Sequence, residues 1–554
     1  MDDLEHIIET ALILQRAGRL DEAVDIYQKV LAIEPKQTDA IHLLGMVSFT
    51  KKNYVEAISL IGKAISLNPS LPDYHFNITS AYIAIGDAVK AKAHAIIATA
   101  LNPNSAEAKY NLGNALFALG DVAKAILAFK QSLDLNPKSH SSWANYLFAL
   151  NFSDEVSSRD VFEANRKWGS LQEDAIKIDP KFKNNLKSGR RIRLGYYIPE
   201  LDTHVTMRFL SPILTAHDKA KFEIVGYGYL TDGTGPPENI ISALDHWVDL
   251  SGKTAAEIAE LMRQDMIDIL VHPCTFKSRY RDVLAHRAAP VQIACTNLVS
   301  TTGLRATDYL ITDHFISPPN SDEGIYTEKL LRLSGFNTYQ KFEDVVGVGP
   351  LPALEKGFVT FGSFNNATKL NGDVIDTWSA ILATVATSRL LLKHRAFDNA
   401  ERQDLITEAF SANGISEDRI IFSGFTPNRA DYLSIYNEID IALDPFPFGG
   451  GTVSYEALWM GIPVLTLAGT MFMGRVTGSL LHRLDLKQWV TNSRAEYFRT
   501  AITLARDIAS LSVLRKQLRG RARRTIFDAE AHTLELETAF SDVWQKYCAE
   551  NKLG

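Results

Sequence analysis

Residues 443–459 read Leu443-Asp444-Pro445-Phe446-Pro447-Phe448-Gly449-Gly450-Gly451-Thr452-Val453-Ser454-Tyr455-Glu456-Ala457-Leu458-Trp459. The apolar run at 439–443 has the composition of a buried parallel strand. Prolines stop it, three glycines follow, and a helix begins, with Thr452 or Ser454 placed to cap its first turn. A strand, a glycine turn and a helix N-terminus make an anion site. Backbone N–H groups point outward, the helix dipole favours negative charge, and glycine lets a phosphate come close to the backbone. Glu456, one turn into the helix, is placed to accept hydrogen bonds from sugar hydroxyls. The stretch points to a nucleotide-sugar diphosphate held by Gly449, Gly450, Gly451 and Thr452. The plainer alternative is a glycine-rich connection in an ordinary α/β domain.

Working outward, the surrounding sequence alternates apolar runs with helical patterns. Strands are expected at 191–198, 222–227, 268–271, 290–294 and 309–312, and again at 358–363, 388–393, 419–422, 439–443 and 463–466. Alternation of this kind implies parallel sheets covered by helices on both faces. The two series give two Rossmann-like halves, 191–350 and 351–554, the second carrying the donor site and the C-terminal helices. Ligands of such sheets lie beyond the carboxyl ends of the strands, so the site belongs in the cleft between the halves. Three stretches meet there: Asp202-Thr203-His204-Val205-Thr206, Ser363-Phe364-Asn365-Asn366-Ala367-Thr368-Lys369, and the glycine loop with Asp444 at its start. Lys369 is placed to neutralise a diphosphate and to stabilise a departing nucleoside diphosphate. A solvated lysine at a helix start is the alternative. His204 is a candidate base or sugar contact, because its ordinary pKa lies near neutrality.

The first 150 residues are of another kind. Pro35, Pro69, Pro103 and Pro137 are 34 residues apart, as are Ala23, Ala57, Ala91 and Ala125. Gly18, Lys52, Gly86 and Gly120 mark the same turn in each unit, and Tyr27, Ile61, Ala95 and Phe129 form a fourth register. Each unit is a helix, a tight turn and a second helix ended by proline. This resembles the tetratricopeptide repeat, an α-solenoid with a concave face. Asn77, Asn111 and Asn145 fall in one more register, with Leu43 at the equivalent place. An amide ladder of this kind suits an extended acceptor polypeptide, since amides both donate and accept. The alternative is that these asparagines tie neighbouring helices together. Residues 151–190 read as a helical linker.

The chain has 554 residues, 46% hydrophobic and 22% charged, with a net charge of −7. That balance argues against a nucleic-acid surface as the main business, while leaving room for a local basic patch. Cys274, Cys295 and Cys548 give neither a disulfide framework nor a zinc spacing, which fits a reducing, cytoplasmic setting. Met1-Asp2-Asp3-Leu4-Glu5 is acidic and unlike a signal peptide, and no apolar run is long enough to span a membrane. No Asp-x-Asp motif or metal-ligand spacing is present, so no metal and no cofactor beyond the nucleotide-sugar substrate is expected.

The repeats followed by these motifs resemble the protein O-linked N-acetylglucosamine transferases and the related Spindly-type enzymes, over most of the chain. The likeness runs through Arg193-Leu194-Gly195-Tyr196, His204, Ala288-Ala289-Pro290-Val291-Gln292, Asp308-Tyr309-Leu310-Ile311-Thr312-Asp313 and Tyr326-Thr327-Glu328-Lys329. It continues through Phe364-Asn365, Lys369, Arg419-Ile420-Ile421-Phe422, Leu443-Asp444, Thr452, Ala457-Leu458-Trp459-Met460-Gly461-Ile462-Pro463-Val464 and Arg475-Val476. The resemblance implies a GT-B fold and an inverting, metal-independent transfer of a sugar to Ser or Thr of a protein. It implies that Lys369 meets the donor diphosphate, that the glycine loop with Thr452 binds phosphate, that Glu456 holds ribose, and that His204 lies beside the sugar. Three places depart from the animal enzymes. Gly451 replaces a histidine, Asn428 and Asp431 replace a lysine and a histidine, and Asn297-Leu298-Val299-Ser300-Thr301 replaces a Leu-Gly-Tyr-Pro-Gly loop. These positions shape base and sugar recognition. UDP-GlcNAc is the leading donor, with GDP-fucose or a CMP-nonulosonate and a dedicated acceptor such as flagellin as the alternative. A non-catalytic repeat scaffold is the alternative of a different class. Deleting residues 1–150 is expected to abolish acceptor modification while keeping donor binding.

Overall fold

The computed structural model describes residues 2–176, 181–187, 189–199, 204–229, 237–272, 278–295, 300–320, 323–342 and 346–551. The side chains of residues 2, 3, 204 and 278–280 lie outside that description. So do Asp202, Thr203 and Cys274, and most of the 297–301 loop.

The 34-residue period becomes helix pairs: α1 (Asp2–Arg16) with α2 (Leu20–Ile33), α3 (Thr38–Thr50) with α4 (Tyr54–Leu67), α5 (Pro72–Ile85) with α6 (Ala88–Leu101), and α7 (Ala106–Ala118) with α8 (Val122–Leu135). A further helix, α9 (His140–Leu150), opens a fifth unit, and α10 (Ser158–Glu173) follows. Ala23, Ala57, Ala91 and Ala125 are wholly buried, since only a methyl fits where paired helices cross. The second helix of each pair stops two residues before its proline, whose ring disfavours helical backbone at the preceding residue. The inter-helix turns are left-handed, at φ 78° for Gly18, 84° for Gly86 and 83° for Gly120. Lys52 holds the same turn at φ 64° without glycine's freedom.

Two parallel sheets follow. The first contains β1 (Ile192–Ile198), β2 (Phe222–Gly228), β3 (His246–Asp249), β4 (Ile269–His272), β5 (Val291–Ala294), β6 (Tyr309–Asp313) and β7 (Lys329–Leu333), in the order β3-β2-β1-β4-β5-β6-β7. The second contains β8 (Thr360–Ser363), β9 (Arg389–Lys393), β10 (Ile420–Ser423), β11 (Ile441–Leu443), β12 (Val464–Leu467) and β13 (Val490–Thr491), in the order β10-β9-β8-β11-β12-β13. The repeat solenoid followed by two doubly wound α/β halves is the architecture expected of the sequence.

Three strands escape the sequence reading: β3, β7 and β13. All three are edge strands. Interior strands are covered on both faces and read as apolar runs, whereas β3 (His-Trp-Val-Asp) is polar and exposed at both ends and β7 (Lys-Leu-Leu-Arg-Leu) is half-buried and interrupted by Lys329 and Arg332. The C-terminal helix also crosses a boundary. The helix Ala529–Asn551 packs Leu536, Phe540, Val543 and Trp544 into the core of the first half, against Leu194, Ile224 and Ile269. Its Glu537 accepts from the Asp218 N–H at 2.7 Å and lies 2.9 Å from His217 Nδ1. The chain therefore returns to the first half after building the second.

Candidate active site

A cavity of about 280 Å³ opens between the two halves, beyond the carboxyl ends of their strands. Val205 and Phe209 reach it from α11 (His204–Ala216), the helix after β1. Phe336 and Asn337 come from the segment after β7, and Asn365, Asn366 and Lys369 from the turn after β8. Phe448, Gly451, Thr452 and Val453 come from the glycine loop, and Met473 and Val476 from beyond β12. The structure thus brings Asn365, Lys369, Gly451 and Thr452 together. His204 opens α11 by its backbone, and its side chain lies outside the described residues.

Lys369 ends a short 3-10 turn, Ala367–Lys369. Its Nζ donates to Asn365 Oδ1 at 3.1 Å and to the Gly449 carbonyl at 2.6 Å, and it stands 4.4 Å from the centre of the Phe448 ring. Among the described residues no carboxylate pairs with it. Burial lowers its pKa from 10.5 to about 8, with the charge of Asp444 opposing the shift. A half-desolvated ammonium held by neutral oxygens and an aromatic face favours an arriving anion.

The helix Thr452–Trp459 starts differently from expectation. Its N-cap is Gly451, at φ −145°, and no side chain caps it. Ser454, expected as a possible cap, instead shares a hydrogen bond with Thr477 at 2.9 Å. Among the described residues no side chain caps the first N–H groups of the helix beside Lys369, an arrangement with the chemistry to receive an anion.

Gly449, Gly450 and Asp444 sit behind this surface, and none of them lines the cavity. Asp444 is buried, and its carboxylate accepts from Thr466 Oγ1 at 3.1 Å and from the Gly450 N–H. Burial pushes its pKa up, against hydrogen bonds from Thr477, Gly450 and Thr466 and the charge of Lys369. The Gly450 N–H, expected to face the donor, is turned inward to this carboxylate. A Cβ on Gly450 would lie 2.0 Å from Ser454 Oγ and 2.6 Å from Asp444 Oδ1, whereas one on Gly451 would meet nothing within 4 Å. Asp444 shapes the loop from beneath.

Glu456 is also buried, and four protein donors already engage it. Arg208 Nη1 (3.1 Å) and Arg429 Nη2 (2.7 Å) reach Oε1, while the Tyr432 (2.9 Å) and Tyr436 (3.2 Å) hydroxyls reach Oε2. Its carboxylate is therefore the hub of a network joining the two halves, since Arg208 lies on α11. The local stretch gives no hint of these partners. Arg208 was the more findable, because it sits in the first turns after β1, where open α/β sheets gather ligand-facing groups. Asn428 caps the short helix Arg429–Ser434, accepting from Ala430 N at 2.7 Å.

In the repeats, the asparagine register ties neighbouring units. Asn77 Nδ2 meets His42 Nε2 at 2.9 Å. Burial lowers the His42 pKa to about 4 and so keeps that nitrogen neutral and able to accept. Asn111 donates to Phe76 O (3.0 Å) and Ser80 Oγ (3.1 Å), and Asn145 to Asn114 Oδ1 (2.7 Å). Asn111 is only 3% exposed. The geometry is that of helix ties, the second of the two readings the register allows. Among the described residues no group of three or more His, Cys, Asp or Glu side chains is placed to hold a metal, and no helix is long and apolar enough to cross a membrane.

Comparison with known proteins closes on the same region. The family described as glycosyl transferase family 41 matches residues 167–339 and 351–536. Tetratricopeptide repeat families match 10–41 and 106–139. Two plant proteins, each named a probable UDP-N-acetylglucosamine–peptide N-acetylglucosaminyltransferase SPINDLY, are similar. The one from Oryza sativa subsp. japonica is 31% identical over 430 residues, which covers 76% of this chain and 46% of that protein. The one from Arabidopsis thaliana is 33% identical over 426 residues, covering 75% and 46%. The chain thus spans less than half the length of these plant relatives. A solved structure of a Thermobaculum terrenum O-GlcNAc transferase point mutant superposes with a TM-score of 0.80 at 32% identity, covering 99% of this chain and 98% of that one. A tetratricopeptide array joined to two facing α/β halves, matched by its family over both, places the molecule: the chain belongs to glycosyltransferase family 41.

Proposed function

We propose that the protein is an inverting, metal-independent protein O-glycosyltransferase that moves N-acetylglucosamine from UDP-GlcNAc to Ser or Thr of a protein acceptor. The observation that carries the proposal is Lys369, desolvated and, among the described residues, not ion-paired with a carboxylate, beside a helix N-terminus that no described side chain caps. The names of the relatives, which specify UDP-N-acetylglucosamine and peptide transfer, support the donor and the acceptor class. A flagellin-like acceptor finds no support in the comparisons and is not part of the proposal. A cytoplasmic location rests on the cysteine pattern and belongs to the same reading.

In this reaction an acceptor hydroxyl attacks the anomeric carbon as the bond to the diphosphate oxygen breaks. A single direct displacement inverts that carbon. The Lys369 ammonium and the uncapped N–H groups at the start of Thr452–Trp459 stabilise the charge that builds on the departing diphosphate. The hydroxyl proton passes to a base, for which His204 is the candidate by resemblance, or to a donor phosphate oxygen. The network of Glu456 with Arg208 and Arg429 holds the halves at a fixed separation around the donor.

A thermal-shift panel of UDP-, GDP- and CMP-sugars tests the donor, because a ligand that binds only the folded state raises its stability. UDP-GlcNAc should raise the Tm. Lys369→Met should remove that shift and cut transfer about 10²–10³-fold, the scale of losing one positioned charge donor. A shift with GDP- or CMP-sugars alone would replace the donor. Full transfer by Lys369→Met would overturn the diphosphate assignment.

A further inference from the structure

The turn that carries Lys369 is not held by its own half alone. Arg402, on the helix Ala400–Ala412, is buried, and burial lowers its pKa. Its Nη1 donates to the Leu119 carbonyl at 3.0 Å and its Nη2 to the Ala367 carbonyl at 3.2 Å. Leu119 closes α7, and Gly120 makes the turn into α8. A Cβ on Gly120 would lie 3.3 Å from Thr368 O and 3.5 Å from Leu370 O, the residues on either side of Lys369. The turn of the fourth repeat is thus seated on the lysine's own turn, with one guanidinium clamping both.

A second set of contacts reaches the glycine loop. Phe448 stacks on Phe152 at 4.3 Å with an interplanar angle of 28°, and meets Phe148 of α9 at 6.0 Å. Phe117 of α7 lies edge-on to Phe152 at 4.9 Å. The ring of Phe448 is also the one that Lys369 Nζ faces. Both approaches to the ammonium are therefore backed by the repeat array.

We propose that Arg402 and the turn at Leu119-Gly120 are positioning elements for Lys369, so that the array governs donor binding as well as the acceptor. The inference rests on the donor reading above. A cation clamped to two peptide carbonyls fixes them relative to each other, because each lone pair must be met in direction as well as distance. Moving the repeat turn moves Ala367 and Thr368, and with them the lysine. Deletion of residues 1–150 takes away Leu119, Phe117 and Phe148. Contrary to the expectation from sequence, it should therefore weaken donor binding along with acceptor modification.

The repeats supply their own control. Gly86 makes the equivalent turn in the third unit at φ 84°, against 83° for Gly120, but a Cβ there would meet nothing within 4 Å. Gly86→Ala and Gly120→Ala thus carry the same left-handed strain, and only the second presses on the Lys369 turn. UDP and GDP affinity is measured by calorimetry on the full chain at pH 7 and pH 9, with the Tm of each variant. Gly86→Ala should bind like the wild type. Gly120→Ala, which pushes Thr368 by a few tenths of an ångström, and Arg402→Gln, which weakens the clamp on Ala367, should each lose about tenfold in affinity, roughly the worth of one positioned hydrogen bond. The pH dependence of their binding should change as well. Equal binding by Gly120→Ala and Gly86→Ala overturns the inference. If Gly120→Ala does not fold, a normally folded Arg402→Gln with wild-type affinity overturns it instead. Failure of the wild type to bind either diphosphate brings down the donor reading and this inference with it.

Discussion

The repeat array and the cleft both carry polar residues that stand out in sequence, and they use them in opposite ways. In the array, Asn77, Asn111 and Asn145 donate to the preceding unit, and their amides are part of the helix packing. In the cleft, Lys369 is held among the described residues by an amide oxygen, a peptide carbonyl and a ring face, and no described side chain caps the neighbouring helix start. The difference lies in where the unmet bonding capacity is left. A buried group whose bonds are met rigidifies its surroundings, whereas a desolvated ammonium hydrogen-bonded to neutral oxygens, with the Asp444 carboxylate acting on it only through space, retains capacity for an arriving anion. Within the cleft the same division separates Lys369 from Asp444 and Glu456, whose carboxylates are filled by protein donors.

The largest effect that would test this contrast comes from the glycine loop. Gly450→Ala forces a methyl to within 2.0 Å of Ser454 Oγ and 2.6 Å of Asp444 Oδ1. It should cost about 1–3 kcal/mol of stability by overpacking and abolish nucleoside diphosphate binding. Gly451→Ala, with open space at the same loop, should fold like the wild type. Chemical denaturation and calorimetry on the pair check this. Equal stability of the two variants would show that Asp444 does not shape the loop.

A smaller effect follows from proton linkage. The folded pKa of Lys369 is lowered from 10.5 to about 8, so between those values the unfolded chain holds more protons than the folded one. This residue's contribution to stability therefore rises with pH across that window. Diphosphate binding runs the other way. The bound anion favours the ammonium, so affinity should fall above pH 8, approaching about tenfold per pH unit, or about 1.4 kcal/mol. Calorimetric titrations of UDP from pH 7 to 10 measure the slope. A flat profile would mean that the lysine charge is not what the donor meets.

How far the sequence reveals this arrangement depends on how local the determinant is. Interior strands, repeat turns and the sheet split are legible, because apolar runs and a 34-residue period are properties of neighbouring residues. The strands β3 and β7 are not, because their edge positions admit exposed polar residues, and β13 is not, because Val490-Thr491 is too short to show a pattern, whereas the edge strand β10 keeps the apolar run Ile420-Ile421-Phe422 and is legible. Lys369 and Thr452 are legible as members of strand-turn-helix units. The partners of Glu456 are not, since Arg208 lies 248 residues away and reaches it only after the halves close. Nor does the seating of Gly120 on Thr368 show, because Gly86 and Gly120 occupy identical registers and differ only in what the fold puts opposite them.

The smallest expected effect belongs to the array. Asn111→Ala removes two hydrogen bonds, to Phe76 O and to Ser80 Oγ, from a nearly inaccessible position. Phe76 O is also a helix carbonyl and keeps its backbone partner, and Ser80 can turn its hydroxyl elsewhere. The loss should therefore be that of ordinary neutral hydrogen bonds whose other partners are re-satisfied, about 0.5–1 kcal/mol. It should appear as a lower denaturation midpoint of the repeats with UDP affinity unchanged. A register that reads the acceptor would behave differently: Asn111→Ala would then spare stability and raise the KM for a peptide acceptor. Because Asn111 is the most buried of the three asparagines, it separates the two roles most cleanly. A stability loss there, with peptide kinetics intact, would establish the ladder as the tie between repeats and leave acceptor recognition to other groups of the concave face.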